Sequence, residues 1–106
     1  MLDAAMEIQQ YAQSSIRQDL NRDKKLVHSL VRLLEIIGKA ASQTSKQLRD
    51  NVPSIPWPVL IGMRNRLIHA YFSINLDVVW STSTEDIPPL IEELSKLFNK
   101  HYENNQ

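Results

Sequence analysis

Cysteine is absent from this chain of 106 residues, and glycine occurs twice, at Gly38 and Gly62. Without cysteine there is neither a disulfide framework nor a thiolate metal site, which fits a reducing compartment. So little glycine, among plentiful Leu, Ile, Ala, Glu, Lys and Gln, argues for helices over sheets. No apolar run approaches the roughly 18 residues a membrane-spanning helix needs. The first residues carry Asp3 and Glu7 and no basic region, unlike a secretory signal. The expectation is a cytoplasmic protein with no membrane association. Neither sign of charge dominates, since 12 basic residues meet 12 acidic ones. Any RNA or DNA site must therefore be a local patch, because global charge supplies no attraction. The length suits one domain, residues 1–106, around a single hydrophobic core.

What is there reads as an all-α, up-and-down bundle of four to five helices. Leu2, Ala5, Met6, Ile8 and Tyr11 recur at helical spacing and predict a first helix over residues 1–14. Residues 14–25 are a polar connection with a short helical turn near Ile16 to Leu20. Leu26, Val27, Leu30, Val31, Leu33, Leu34, Ile37 and Ala41 then make one apolar stripe behind an Asp23 N-cap. Arg32, Lys39 and Gln43 fall on the opposite face, and the helix is expected to continue to about residue 48 or 50. Pro53, Pro56 and Pro58 interrupt it. A third helix is expected over residues 56–72. A fourth, capped by Asn75, should turn Val79 and Trp80 inward. Residues 81–89 read as a breaker, with Thr84 or Asp86 as the next cap and Pro88-Pro89 in the first turn of a final helix. Residues 101–106 read as a polar, frayed tail.

The third helix carries the chemistry. On an ideal wheel Trp57, Leu60, Ile61, Arg64, Leu67, Ile68, Tyr71 and Phe72 share one face, which places Arg64 inside an apolar stripe. Asn65 and His69 are helical neighbours at i and i+4, whereas Arg66 points to solvent. Arg64 and His69 would diverge by about 140° with about 7.5 Å of rise, so they do not converge on one atom. Two such helices crossing about a two-fold axis would bring two Arg and two His to one cleft. That set suits RNA cleavage without a metal. One His takes the 2′-OH proton, the other protonates the leaving 5′ oxygen, and the guanidinium forks hold the phosphate. Lys39 and Arg32, if nearby, would add a path for the RNA backbone.

Each of these residues also has an ordinary structural reading. A lone His at the edge of an apolar face is commonly a satisfied structural residue. Arg64 would then be an anchor ion-paired with Glu35, Asn65 a tie to loop backbone, and Tyr71 a core aromatic with its hydroxyl at the rim. His28 and His101 read as structural or solvated. The three histidines lack metal-ligand spacing, and nothing calls for a cofactor.

Arg64-Asn65-Arg66-Leu67-Ile68-His69 matches the Arg-x4-His motif of the HEPN superfamily, and Ala70-Tyr71 extends it to Arg-x4-His-x-Tyr. In that form the chain resembles the HepT-like branch, the toxin half of a toxin–antitoxin pair. Ile55-Pro56-Trp57, Leu34-Glu35-Ile36-Ile37-Gly38-Lys39-Ala40-Ala41 and Leu76-Asp77-Val78-Val79-Trp80 are similar to the same branch, so the likeness runs through nearly the whole chain. The resemblance implies a metal-independent endoribonuclease that works as a homodimer. Arg64 and His69 would be its catalytic pair, with Asn65 positioning His69. Tyr71 would receive AMP from a cognate minimal nucleotidyltransferase, the antitoxin. A bulky anion beside Arg64 and His69 would block the cleft and compete for its cations. Two other readings compete: a non-catalytic HEPN module that binds a nucleotide or supports a partner nucleotidyltransferase, and a plain helical interaction domain. The second of these leaves the crowding of polar groups around Arg64 unexplained.

Overall fold

The computed structural model describes residues 1–69 and 73–104. Its three long helices are α1 (Leu2–Gln13), α3 (Lys24–Ser42) and α8 (Ile87–Asn104). Shorter ones join them: α2 (Asp19–Arg22), α4 (Lys46–Asn51), α5 (Trp57–Ile61), α6 (Met63–Leu67) and α7 (Leu76–Ser81). The architecture is all-helical, apart, among the described residues, from one antiparallel pairing of two-residue strands, β1 (Ile68–His69) with β2 (Ser73–Ile74). α1 packs on α3 and α8, while α5 and α6 lie against α3.

α3 is the central element, and the expected stripe is its buried face. Leu30, Leu34, Ile37 and Ala41 are wholly enclosed, with Ile8, Leu60, Met63, Leu67, Val79 and Ile87 around them. Burying side chains of this size stabilises the fold by about 1.5–3 kcal/mol each. Asp23 starts the helix, its carboxylate accepting from the Leu26 N–H at 3.1 Å. Asn75 does the same for α7, accepting from the Val78 N–H at 3.1 Å. Both caps fall where the sequence puts them, and Val79 is buried behind the second, with Trp80 half-buried beside it.

Four boundaries differ from expectation. α3 stops at Ser42 instead of running to residue 48 or 50, because Ser45 takes an extended backbone and caps α4 through the Leu48 N–H. The third helix is two helices with a turn at Gly62, and it ends at Leu67 instead of residue 72. Gly62 leaves the helical path of α5, at ψ 6°, which shifts the phase of α6 relative to α5. Met63, not Ile61, therefore joins Trp57, Leu60 and Leu67 in the core, and Ile61 remains 37% exposed.

The third difference is the supposed breaker at residues 81–89, which is helical. Thr82–Asp86 form a π-helical stretch between α7 and α8, closed by the Ile87 N–H donating to the Thr82 carbonyl five residues back. A widened turn accommodates Pro88 and Pro89, which bring no donors and would crowd the carbonyls four residues back in a regular helix. Thr84 Oγ1 donates to the Trp80 carbonyl at 2.8 Å, supplying a side-chain partner where the ladder is irregular. Finally, α8 continues into the expected tail as far as Asn104.

The π stretch also buries the hydroxyls of Thr82 and Ser83, and neither has a hydrogen-bond partner among the described residues. An enclosed hydroxyl without a partner costs about 1–3 kcal/mol. Thr82→Val keeps the shape and removes the oxygen. Chemical denaturation should show the variant more stable by about 1 kcal/mol, with an unchanged m-value.

Candidate functional site

The segment from Ile61 to Ile74 is held against α3 at a very close crossing. A Cβ on Gly38 would lie 2.8 Å from the Leu60 carbonyl oxygen and 3.2 Å from Met63 Cβ. Only a residue without a side chain lets the backbone of α5 come this near. Met63 and Leu67, four residues apart on one side of α6, are both fully buried and anchor the helix in the core. Arg64, Asn65 and Arg66 lie between these anchors, and Asn65 and Arg66 are exposed. Arg66 reaches Asp86 in the π stretch at 3.9 Å. Sequence reasoning gave Gly38 no role. The available signal was a lone glycine inside a strongly periodic helix, which costs about 1 kcal/mol against alanine and calls for a packing reason.

Beyond Leu67 the chain turns extended. Ile68 pairs with Ile74 and His69 with Ser73, and the Asn75 N–H donates to the Leu67 carbonyl at 2.8 Å. His69 is therefore on a strand and not on the helix that carries Arg64. The ideal-helix separation of the two does not apply, nor does the i, i+4 relation of Asn65 to His69. The description covers the backbone of Arg64 and His69 and not their side chains. Tyr71, placed by sequence two turns beyond Arg64, lies outside the described residues.

The far end of this segment is pinned as well. Arg17, in the connection before α2, donates to Asp77 Oδ1 through Nε at 3.0 Å and through Nη2 at 2.7 Å. Its Nη1 donates to Asn21 at 2.7 Å. This cluster fixes the start of α7 immediately after β2. Charge pairing over so long a sequence separation left no local signal. On the near side, the Trp57 indole N–H donates to the Val52 carbonyl at 2.9 Å and ties the proline loop to the start of α5.

Arg32 and Lys39 come to the side of α3 that the end of α5 adjoins. Both line a concavity of about 610 Å3 that Ile61 closes from the α5 side. Glu35, the partner that sequence offered for Arg64, lines it too, together with the exposed Ile36. The arrangement joins two cations, one carboxylate and an apolar edge at the end of α5, the helix that leads into α6. It can hold an anion, and it leaves apolar surface for another macromolecule to cover.

Residues 1–97 match the family described as Ribonuclease HepT-like. "Probable ribonuclease HepT" of Thermococcus cleftensis is 38% identical over 90 residues, which cover 85% of this chain and 82% of that protein. A protein of Caldanaerobacter subterraneus subsp. tengcongensis named "Putative RNase TTE0752" is 36% identical over 83 residues, 78% of this chain and 74% of its own. "Putative RNase MJ1380" of Methanocaldococcus jannaschii is 30% identical over 94 residues, 89% and 86% of the two chains. No solved structure matches. The chain belongs to the HepT-like ribonuclease family.

The crossing at Gly38 gives a direct test of how the site is held. Gly38→Ala forces a methyl group into backbone that cannot rotate away, so α5 and α6 must move off α3. The variant should lose about 1–3 kcal/mol of stability, visible as a lower denaturation midpoint. Its RNA-cleaving activity should fall at temperatures where it is still folded.

Proposed function

We propose that this protein is a metal-independent endoribonuclease toxin that acts as a homodimer and is silenced by AMP transfer to Tyr71 from a nucleotidyltransferase antitoxin. The observation that carries the reading is the placement of the Arg64-to-His69 motif in a chain of the HepT-like family. Within the motif, Arg64 lies between the buried Met63 and Leu67 and His69 lies in the β1–β2 pairing, with a concavity lined by Arg32 and Lys39 at the end of α5.

Cleavage of RNA at a 2′-OH needs a base and an acid. His69 of one copy removes the 2′-OH proton, the 2′ oxygen attacks phosphorus, and the bond to the 5′ oxygen breaks. His69 of the second copy protonates that leaving oxygen. Arg64 holds the non-bridging oxygens and stabilises their charge as the transition state forms. Asn65 positions His69, and Arg32 and Lys39 bind the flanking backbone. Each chain supplies one such His, so a dimer supplies both roles. Ile36 and Ile61, 38% and 37% exposed beside the cations, offer apolar surface for that contact. A two-fold interface places the same patch on both partners.

Silencing follows the same electrostatics. The Tyr71 phenol oxygen attacks the α-phosphorus of ATP bound to the antitoxin, pyrophosphate leaves, and the new phosphodiester carries a negative charge and a nucleoside into the cleft. Co-expression with an active nucleotidyltransferase partner should add the mass of one or more AMP units to the protein, and Tyr71→Phe should remain unmodified and active. Purified protein should cut RNA in EDTA. His69→Ala should lower the rate by about 10²–10⁴-fold, and Arg64→Lys should fail to restore an Arg64→Ala loss because lysine lacks the fork. RNA left intact by the unmodified dimer would instead favour the non-catalytic module. Sedimentation as a monomer would remove the two-copy mechanism.

A further inference from the structure

The zero net charge conceals a strong separation. Residues 24–66 hold eight of the 12 basic residues and two of the 12 acidic ones, and the rest of the chain holds four and ten. Eight of the ten acids outside this stretch lie on α1, α7, the π stretch and α8, which pack on one another. The basic stretch comprises α3 with α4, α5 and α6.

Along α3 three exposed cations and one histidine form a line. Lys24, His28 and Arg32 follow each other at i, i+4 and i+8, and Lys39 continues the line two turns on, with the half-buried Glu35 as the one acid between them. All four are exposed. From Lys24 to Lys39 the helix rises by roughly 22 Å. A concavity lies at each end of the line. Arg32 and Lys39 edge the one closed by Ile61. Lys24 and His28 edge another, of about 440 Å3, closed by Ile74. Ile61 lies three residues before Arg64, and Ile74 is the strand partner of Ile68, next to His69. The two concavities therefore flank the Arg64-to-His69 segment from either side.

One feature of α3 runs against its own stability. Its first turn holds Lys24 and Lys25, and the acid at this end is the Asp23 cap that precedes them. The helix dipole favours acids at this end and disfavours cations. Lys24 is thus poorly explained as support for the helix, whereas a polyanion lying on this edge would use it.

We propose that the exposed edge of α3, from Lys24 through His28 and Arg32 to Lys39, is a track for single-stranded RNA that extends the site beyond the β1–β2 pair. This rests on the ribonuclease reading and adds Lys24 and His28 to the substrate contacts. Among the described residues this edge has no exposed Phe, Tyr or Trp, so it grips phosphates more than bases and binds without strong sequence preference.

The test is binding of a labelled single-stranded RNA of about ten nucleotides to the full chain carrying His69→Ala, across a range of salt concentrations. Adding Lys24→Gln should weaken binding several-fold at low salt. It should also reduce the slope of log affinity against log salt by about 0.7, the contribution of one phosphate contact on a single strand. Adding His28→Gln should weaken binding further. The melting temperature of Lys24→Gln should be unchanged or higher, because the lost cation opposed the dipole, so unfolding cannot mimic the effect. Lys96→Gln on α8 should leave affinity and slope as they were. An unaltered slope in Lys24→Gln, or an equal loss in Lys96→Gln, overturns the track. So does a Lys24→Gln protein whose weaker binding comes with dissociation from dimer to monomer, which would assign this edge to the acidic surface of a second copy. The unsubstituted protein, incubated with the same RNA, reports separately on catalysis. Intact RNA there together with the slope change sinks the ribonuclease reading and keeps the track. Cut RNA without the slope change does the reverse.

Discussion

The whole arrangement hangs on one absent side chain. Gly38 lets α3 carry the backbone of Leu60 at a distance where no Cβ fits. Because the two backbones meet, Met63 and Leu67 reach the same core as Leu34 and Ile37. A close-packed interior does not deform smoothly. The position of α6 is therefore set by α3, and the cations on the outer edge of α3 are set relative to α6 by the same contact. One packing decision in the core fixes the spacing of groups on the surface.

The remaining restraints act on the ends of the segment and are of a different kind. β1–β2 and the Asn75 N–H to the Leu67 carbonyl are backbone ties, which hold position without demanding particular side chains. Arg17 with Asp77 is a charge-assisted fork on the surface, with Asp77 86% exposed at its side chain. Such a pair contributes little to global stability, about 0–1 kcal/mol, but it fixes an angle. Core packing thus holds the Arg64 end and polar ties hold the His69 end. This division keeps the backbone of the segment in place from both ends.

Much of this was legible in the sequence, and the unread parts share a cause. The α3 stripe was legible because eight apolar side chains repeat with one period. Asp23 and Asn75 were legible because a cap is a local hydrogen bond. The Arg-x4-His motif was legible by likeness, and its family follows from the match over residues 1–97. The break at Gly62 was missed because a single glycine is compatible with a continuing helix. The strand at Ile68 was missed because its partner, Ser73-Ile74, is visible only once the chain folds back. With it went the wheel geometry of Arg64 and His69, which assumed one helix through both. Pro88-Pro89 misled in the opposite direction. Two prolines normally announce a boundary, but a π-helical turn opens the room they need, and its hydrogen bond from Ile87 to Thr82 has no signature in a pattern of apolar residues.

The charge distribution bears on how a two-copy site could assemble. Joining two copies near α6 brings two basic edges together, and at physiological salt charges more than about 8 Å apart are largely screened, whereas closer ones are not. Something must offset the near repulsion. Apolar burial of Ile36 and Ile61 from each copy would do so at roughly 25 cal/mol per Å2, and an RNA backbone lying between the edges would do so more directly by neutralising them. On this account the same cations that oppose the empty dimer favour the loaded one. On the proposed track, the acidic side chains of α1 and α8 would repel anions from that side and orient an approaching RNA toward α3.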